Sequence, residues 1–196
     1  MRIIRYIAFL LCLNGMVFTT SCSPANNHDT KSETLVASSQ ALRDRVKEFE
    51  AIFDSDDIGE TMNFIPPKTY EALKKGITAT DEEMKNSVNR EWKKALETIS
   101  VESFTFELDE NSIQTSSIGR AYTTLPLTMV MGINSDPTKL IKATSTTVAL
   151  VDAGVWYIVR LDEPSLVGLF KKSYPDLSTI AIAPATQEIV TRKAVQ

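Results

Sequence analysis

The spacing of apolar residues divides the chain into a helical first half and a sheet-forming second half. Between Leu35 and Ile99 apolar side chains recur mainly every three to four residues, which is the period of a helix with one buried stripe. After Ser100 the period changes to two, and Phe104 and Phe106 alternate with polar residues as in a strand. The order predicts the α+β class, with three N-terminal helices packed on one face of a curved antiparallel sheet of about four strands.

Local signals set the limits of the three helices. We expect the first over residues 35–53 and the second over about residues 68–75, because the preceding Pro66-Pro67 pair stops an earlier helix from continuing. Thr80 begins the third helix with a capping box, in which Glu83 is the reciprocal partner. Trp92 lies on the apolar stripe of this helix and is expected in the core.

The pattern of the second half predicts an antiparallel meander. Residues 121–133 alternate over the longest stretch, and Pro126 within them marks a bulge or an edge position because proline cannot donate to a ladder. Asp152-Ala153-Gly154 separates two β-rich runs and predicts a hairpin. Trp156 and Tyr157, being adjacent in a strand, should point to opposite faces.

The C-terminal part is less regular. We expect a short helix over residues 166–172 and an extended apolar strip over residues 177–182. Residues 35–184 are predicted to form one domain, which is large enough for a core without disulfides. Residues 185–196 are predicted to be a frayed tail.

The first 21 residues have the order of a secretory signal. Arg2 and Arg5 supply a positive start, and the apolar run of residues 7–17 is about half of the roughly 20 residues that a transmembrane helix needs. Small residues follow, and they end at Cys22. An uncleaved N-terminal anchor is the alternative interpretation.

The segment Thr19-Thr20-Ser21-Cys22 resembles the lipobox of bacterial lipoproteins, although Thr19 stands where that family usually has Leu. The resemblance implies that the signal is cut before Cys22 and that the Cys22 sulfur carries a diacylglycerol, with palmitate among the acyl chains. Ordinary signal cleavage, which would leave an incidental thiol, is the alternative. The implied location is the cell envelope, lipid-anchored and periplasm-facing, and Ser23 in place of Asp favours the outer over the inner membrane.

The charge and the cysteine content exclude several kinds of site and partner for the mature chain. Cys12 leaves with the signal, so the mature chain has Cys22 alone and can form no internal disulfide or cysteine-based metal site. Without Arg2 and Arg5 the formal charge falls from −4 to −6, which argues against a nucleic-acid partner. The lipid on Cys22 would therefore tether the chain to the membrane, through the polar linker of residues 22–34.

Two polar features within or near this N-terminal half invite a functional interpretation. His28 is the chain's one histidine, and its place in the linker favours a solvated residue over a catalytic one. Asp54, Asp56 and Asp57 could bind a metal ion, but they lack the glycine and distal glutamate of a calcium loop. We expect these aspartates to cap the short turn that follows, and we predict no metal and no cofactor.

Three segments resemble the nuclear-transport-factor-2-like fold, a cone of sheet closed by helices. They are Phe64-Ile65-Pro66-Pro67 before the second helix, Tyr122-Thr123-Thr124-Leu125-Pro126 in a strand, and Gly154-Val155-Trp156 at a strand start. The resemblance covers about residues 35–184. This fold hosts isomerases, dehydratases and binding modules, so it implies no single function.

We expect a non-catalytic binding or interaction module, whose partner is a small apolar ligand or an envelope protein. The residues expected to line a ligand cavity are Tyr122, Leu125, Met129, Met131 and Trp156. Plain core packing is the alternative for these residues. The alternative function is an isomerase or hydratase with a Tyr/carboxylate pair in the cone, drawn from Tyr122, Tyr157, Asp109 and Asp152. The sequence assigns no catalytic residue.

Overall fold

A computed structural model describes residues 39–55, 57–75 and 77–192. The predicted signal, Cys22 and the linker of residues 22–34 lie outside these ranges. The described chain is an α+β domain built on one curled antiparallel sheet. This agrees with the predicted class, whereas the number and placement of helices differ from the prediction, as set out below.

Among the described residues, three α-helices and one 3₁₀ helix precede the sheet. Pro67 is the first residue of the second α-helix, where its missing N–H costs nothing, so the Pro-Pro signal is confirmed. The bounds are α1 Ser39–Phe53, the 3₁₀ helix Ile58–Phe64, α2 Pro67–Lys74 and α3 Asp81–Leu96.

The predicted capping box of α3 is present. The Glu83 N–H donates to Thr80 Oγ1 at 3.2 Å, and the Thr80 N–H donates to Glu83 Oε2 at 2.7 Å. The bond from the Thr80 backbone N–H, and a second one from the Thr80 hydroxyl to Glu83 Oε2 at 3.0 Å, lower the pKa of the Glu83 carboxyl. The α3 N-terminus is thereby fixed by local sequence alone.

The sheet contains six strands where about four were expected. Its central path runs β1-β3-β4-β5, while β2 pairs with β3 and β6 pairs with β4. The strand β4 has 17 residues and is long enough to pair β5 along its second half and β6 along its first. The bounds are β1 Ile99–Phe106, β2 Gln114–Thr115, β3 Ala121–Ile133, β4 Asp136–Asp152, β5 Val155–Arg160 and β6 Thr186–Thr191.

Two turn predictions can be compared with the backbone. β4 and β5 are joined by Ala153 and Gly154, whose φ angles of 47° and 79° are those of a tight two-residue hairpin turn. Pro126 lies in β3, a central strand, rather than at an edge. Its carbonyl accepts from the Glu107 N–H at 2.9 Å just past the end of β1, so its missing donor falls where that ladder stops.

One face of the sheet, which we call the α1 face, is covered by α1 and α3. Phe49 is the centre of an aromatic cluster on this face and lies 5.0–6.1 Å from the rings of its neighbours, which are Phe53, Phe64, Phe104 and Phe106. Trp92 of α3 is 4% exposed and meets Phe53 edge to face at 5.9 Å. The prediction that Trp92 is a core residue is confirmed.

The opposite face, the α4 face, carries a second core. It consists of Val148, Leu150 and Val159 of the sheet packed against a fourth helix, α4 Pro164–Ser173. α2 lies beside α4, and Leu73 contributes to this core. The expectation of helices on one face is therefore wrong, because β3, β4 and β5 present apolar side chains on both sides.

The C-terminal part is more ordered than the sequence suggests. The predicted helix over residues 166–172 corresponds to α4, which is two residues longer at its start and one at its end. The strip of residues 177–182 begins in the 3₁₀ helix Pro175–Leu177 and forms no strand. Thr186–Thr191 pair with β4 as the edge strand β6, where a frayed tail was expected.

Candidate functional site

The five residues predicted to line a ligand cavity do not face one space. Leu125, Met129 and Met131 share the α1 face of β3 with Trp156 of β5, and each is at most 4% exposed. Tyr122 points to the α4 face, where its hydroxyl donates to Gln114 Oε1 at 2.7 Å. Trp156 and Tyr157 do lie on opposite faces, as predicted.

Two open clefts lie on the surface of α3. The larger has a volume of about 580 Å³ and is lined by Asn86, Asn89, Arg90, Lys93, Lys94 and Glu97. The second, of about 480 Å³, adjoins the start of the same helix. Neither cleft is lined by any of the five predicted residues, of which four lie within the packed core and Tyr122 is half-buried beside it.

A cluster of mutually bonded polar side chains lies at one end of the sheet. We call it the Arg120 cluster, and it consists of Arg120, Asp152, Asp176, Tyr174 and Ser116. Arg120 directly precedes β3 and Asp152 ends β4, so the antiparallel register brings the two together. Tyr174 and Asp176 come from the turn after α4, which packs on the adjacent face.

The Arg120 guanidinium is the centre of this cluster, and its side chain is 10% exposed. Nη1 donates to the Val151 carbonyl at 2.8 Å and to Asp152 Oδ1 at 3.1 Å. Nε donates to Asp176 Oδ2 at 3.1 Å, and the same oxygen accepts from Ser116 Oγ at 2.8 Å. The guanidinium thus joins two carboxylates from distant parts of the chain.

Tyr174 completes the cluster. Its hydroxyl donates to Asp152 Oδ2 at 2.7 Å, and its ring lies 4.9 Å from the guanidinium carbon of Arg120. Burial raises the pKa of the Tyr174 phenol, and the hydrogen bond to the Asp152 carboxylate raises it further. The phenol therefore stays protonated and serves as a donor to Asp152.

The predicted enzyme residues are dispersed. Asp152 is in the Arg120 cluster, whereas Asp109 caps a 3₁₀ turn by accepting from the Asn111 N–H at 2.9 Å. Tyr157 is half-buried on the α4 face. The sequence analysis did not single out Arg120, Tyr174 or Asp176. The β3–β4 register places Tyr122 opposite Leu150, and only this register could have indicated that Arg120 meets Asp152.

The acidic loop before the 3₁₀ helix Ile58–Phe64 does not cap it in the way predicted. Asp57 stands at the cap position without a side-chain cap bond. Its carboxylate instead accepts from Asn89 Nδ2 at 2.7 Å, and so joins the loop to α3. Within the part of the chain that the structure describes, no three His, Cys, Asp or Glu side chains are grouped as metal ligands. His28 lies outside those residues.

Comparison with protein-family models gave no match, and searches among curated proteins and among solved structures gave none either. The structure itself defines the class as an α+β domain with a curled antiparallel sheet, which is compatible with a cone-like domain. Across residues 39–192, leaving aside 56 and 76, no helix is both long and apolar enough to cross a bilayer.

Proposed function

We propose that the chain is a bacterial lipoprotein anchored through Cys22, and that its α+β domain is a non-catalytic interaction module at the cell envelope. The Arg120 cluster is the observation that supports a non-catalytic role. Its charged groups are bonded to one another rather than directed at an open cleft. Such an arrangement stabilises a fold and leaves little for a substrate to contact.

The N-terminal residues support the anchor. Arg2 and Arg5, the apolar run of residues 7–17 and the small residues before Cys22 follow the order of a lipoprotein signal. Ser23 favours the outer membrane and a periplasm-facing domain. A single acyl chain binds a bilayer only marginally, so the diacylglycerol on Cys22 would supply the firm attachment.

The partner that we favour is an envelope protein rather than a small apolar ligand. Leu125 and Met131 are fully buried, and a ligand in the predicted cavity would have to displace such core side chains. Surface recognition requires no such rearrangement. A nuclear-transport-factor-2-like relationship stays part of the proposal, and the curled sheet supports it at the level of architecture.

One observation favours the enzymatic alternative, namely the Tyr174–Asp152 pair at 2.7 Å. An isomerase or hydratase would use such a pair as a proton donor and acceptor. However, the raised pKa of Tyr174 makes its phenol a weaker acid than an exposed tyrosine, and its O–H is already engaged in the hydrogen bond to Asp152. These properties favour the interaction module.

Cys22→Ala is expected to abolish lipid labelling of the chain and, with it, the attachment to the membrane through lipid. Without the sulfur no diacylglycerol can be added, so the chain should accumulate as an uncleaved precursor or appear in the soluble fraction. The measurement is incorporation of labelled palmitate together with membrane fractionation. Cys12→Ala is the matched control, since Cys12 lies within the signal and should leave labelling unchanged. Labelling of Cys22→Ala at the wild-type level would contradict the proposal.

A further inference from the structure

The first half of α1 lies beside the end of the sheet that contains the β4–β5 hairpin. Arg45, in the first half of α1, donates from Nε to the Trp156 carbonyl at 3.1 Å. At the other end of α1, Phe53 stacks on Phe104 at a ring distance of 3.8 Å. Trp156 pairs with the last residues of β4, whereas Phe104 pairs with the middle of β3. The N-terminus of α1 therefore points toward the end at which β4 turns into β5.

Two turns lie side by side at this end, and we call them the tip: residues 116–119 and residues 153–155. The Gly119 N–H donates to the Ser116 carbonyl at 3.0 Å and closes the first turn. The second turn is the two-residue hairpin and the residue after it. Arg120 follows the first turn directly and bonds to Val151 and Asp152, directly before the second. The Arg120 cluster thus holds the two turns together.

The two turns of the tip carry no charged side chain, and each exposes one large aliphatic side chain. Its sequences are Ser-Ser-Ile-Gly and Ala-Gly-Val, although 23% of the chain's residues are charged. Ile118 is 59% exposed and Val155 is 45% exposed. Exposed branched aliphatic side chains on adjacent turns, without neighbouring charges inside the turns, are suited to insertion at the boundary of headgroups and acyl chains.

We propose that the tip docks on the bilayer to which Cys22 anchors the chain, with Ile118 and Val155 inserted at its surface. This inference rests on the lipid anchor of the proposed function. Residues 23–38 join Cys22 to α1, and 16 residues can span at most about 55 Å. The anchor therefore holds the tip at high effective concentration near the lipid, so a weak apolar affinity suffices.

Charge would contribute little to this docking. The mature chain has a formal charge of −6, so an anionic lipid surface would not attract it as a whole. The proposal accordingly commits to apolar contact, which neutral phospholipid vesicles should support. Added salt should leave it nearly unchanged, because screening acts on charges and not on buried apolar area.

The test uses full-length lipidated chain, extracted from membranes and reconstituted into phosphatidylcholine vesicles. Ile118→Cys supplies a thiol for an environment-sensitive fluorophore, and acylated Cys22 does not compete for it. The matched control is Ile189→Cys, which replaces the same residue type at 66% exposure on β6. Ile189 pairs with Ile141, which faces Met131 near the opposite end of β3.

The label at position 118 is expected to emit at shorter wavelength and to be quenched several-fold more strongly by spin-labelled lipid than the label at 189. Equal, weak quenching at both positions in chains that float with the vesicles would overturn the docking proposal alone. Disulfide cross-linking through position 118 between two chains would overturn it in favour of self-association. Chains that carry no acyl group and fail to float would overturn the anchor itself, and the docking with it.

Discussion

Replacing Arg120 with Met is expected to lower the free energy of unfolding by about 3–5 kcal/mol. The substitution keeps much of the side-chain volume but removes the guanidinium that faces Asp152 and Asp176. The Asp176 side chain is 8% exposed and would be left as a nearly buried charge without its cation. The Val151 carbonyl would also lose a donor. The dominant cost is the uncompensated negative charge, not the lost attraction.

Urea unfolding followed by circular dichroism measures this loss. Arg90→Met is the matched control, because the Arg90 side chain is 70% exposed and its removal should change stability by at most about 0.5 kcal/mol. Adding Asp152→Asn and Asp176→Asn to Arg120→Met should restore part of the stability, since no unpaired charge then remains. A loss below about 1 kcal/mol for Arg120→Met would show that the cluster does not hold the sheet end together.

Trp92→Ala is expected to destabilise the domain by about 3–5 kcal/mol, because it removes a large aromatic side chain from a packed site. Trp92 is 4% exposed and contacts Phe53, which links it to the aromatic cluster around Phe49. The void would lie between α3 and α1, where helix packing covers the sheet. The helix itself should persist, since its capping box is independent of Trp92.

Leu96→Ala is the control for Trp92→Ala, because it shortens an apolar side chain of the same helix at 39% exposure. Its effect should be smaller than that of Trp92→Ala, since a partly exposed leucine buries less apolar area than a buried tryptophan. Thermal unfolding at equal protein concentration compares the two variants. A melting midpoint for Trp92→Ala within a degree of the wild type would contradict the assignment of Trp92 to the core.

The elements that the sequence predicted well are those whose signals are local. α3 carries its cap at Thr80, its acidic first turn and its apolar stripe within 17 residues. The β4–β5 hairpin is likewise indicated by the short segment Asp152-Ala153-Gly154 between two β-rich runs. In both cases the sequence signals lie within the element that they specify, so the element can be predicted without knowing its distant contacts.

Elements that depend on distant partners were missed. β6 was predicted to be a frayed tail, and its side chains are mostly exposed. Its stability comes from backbone pairing with residues of β4 that lie 42 to 52 positions earlier in the chain. The two-sided cover of the sheet was missed for a related reason. Val148, Ala149 and Leu150 form a continuous apolar run, which marks a strand buried on both faces rather than on one.

The polar groups of the domain were the least predictable part. From the sequence, Asp152 was expected to be a solvated turn residue. Only the fold brings it to Arg120, which is 32 residues away, and to Tyr174, which is 22 residues away. The cavity-lining prediction for Leu125, Met129 and Met131 rests on their alternation. Alternation identifies a buried face, but it cannot distinguish a packed core from a ligand cavity.

The mass of the mature chain tests the central claim most directly. Full-length protein would be expressed in a bacterium with its own N-terminus, extracted from membranes in detergent and weighed intact. The lipoprotein account predicts residues 22–196 with a diacylglyceryl group on Cys22, with or without a further acyl chain on its amino group. The mass of residues 1–196, or of a cleaved chain without any acyl group, would contradict it.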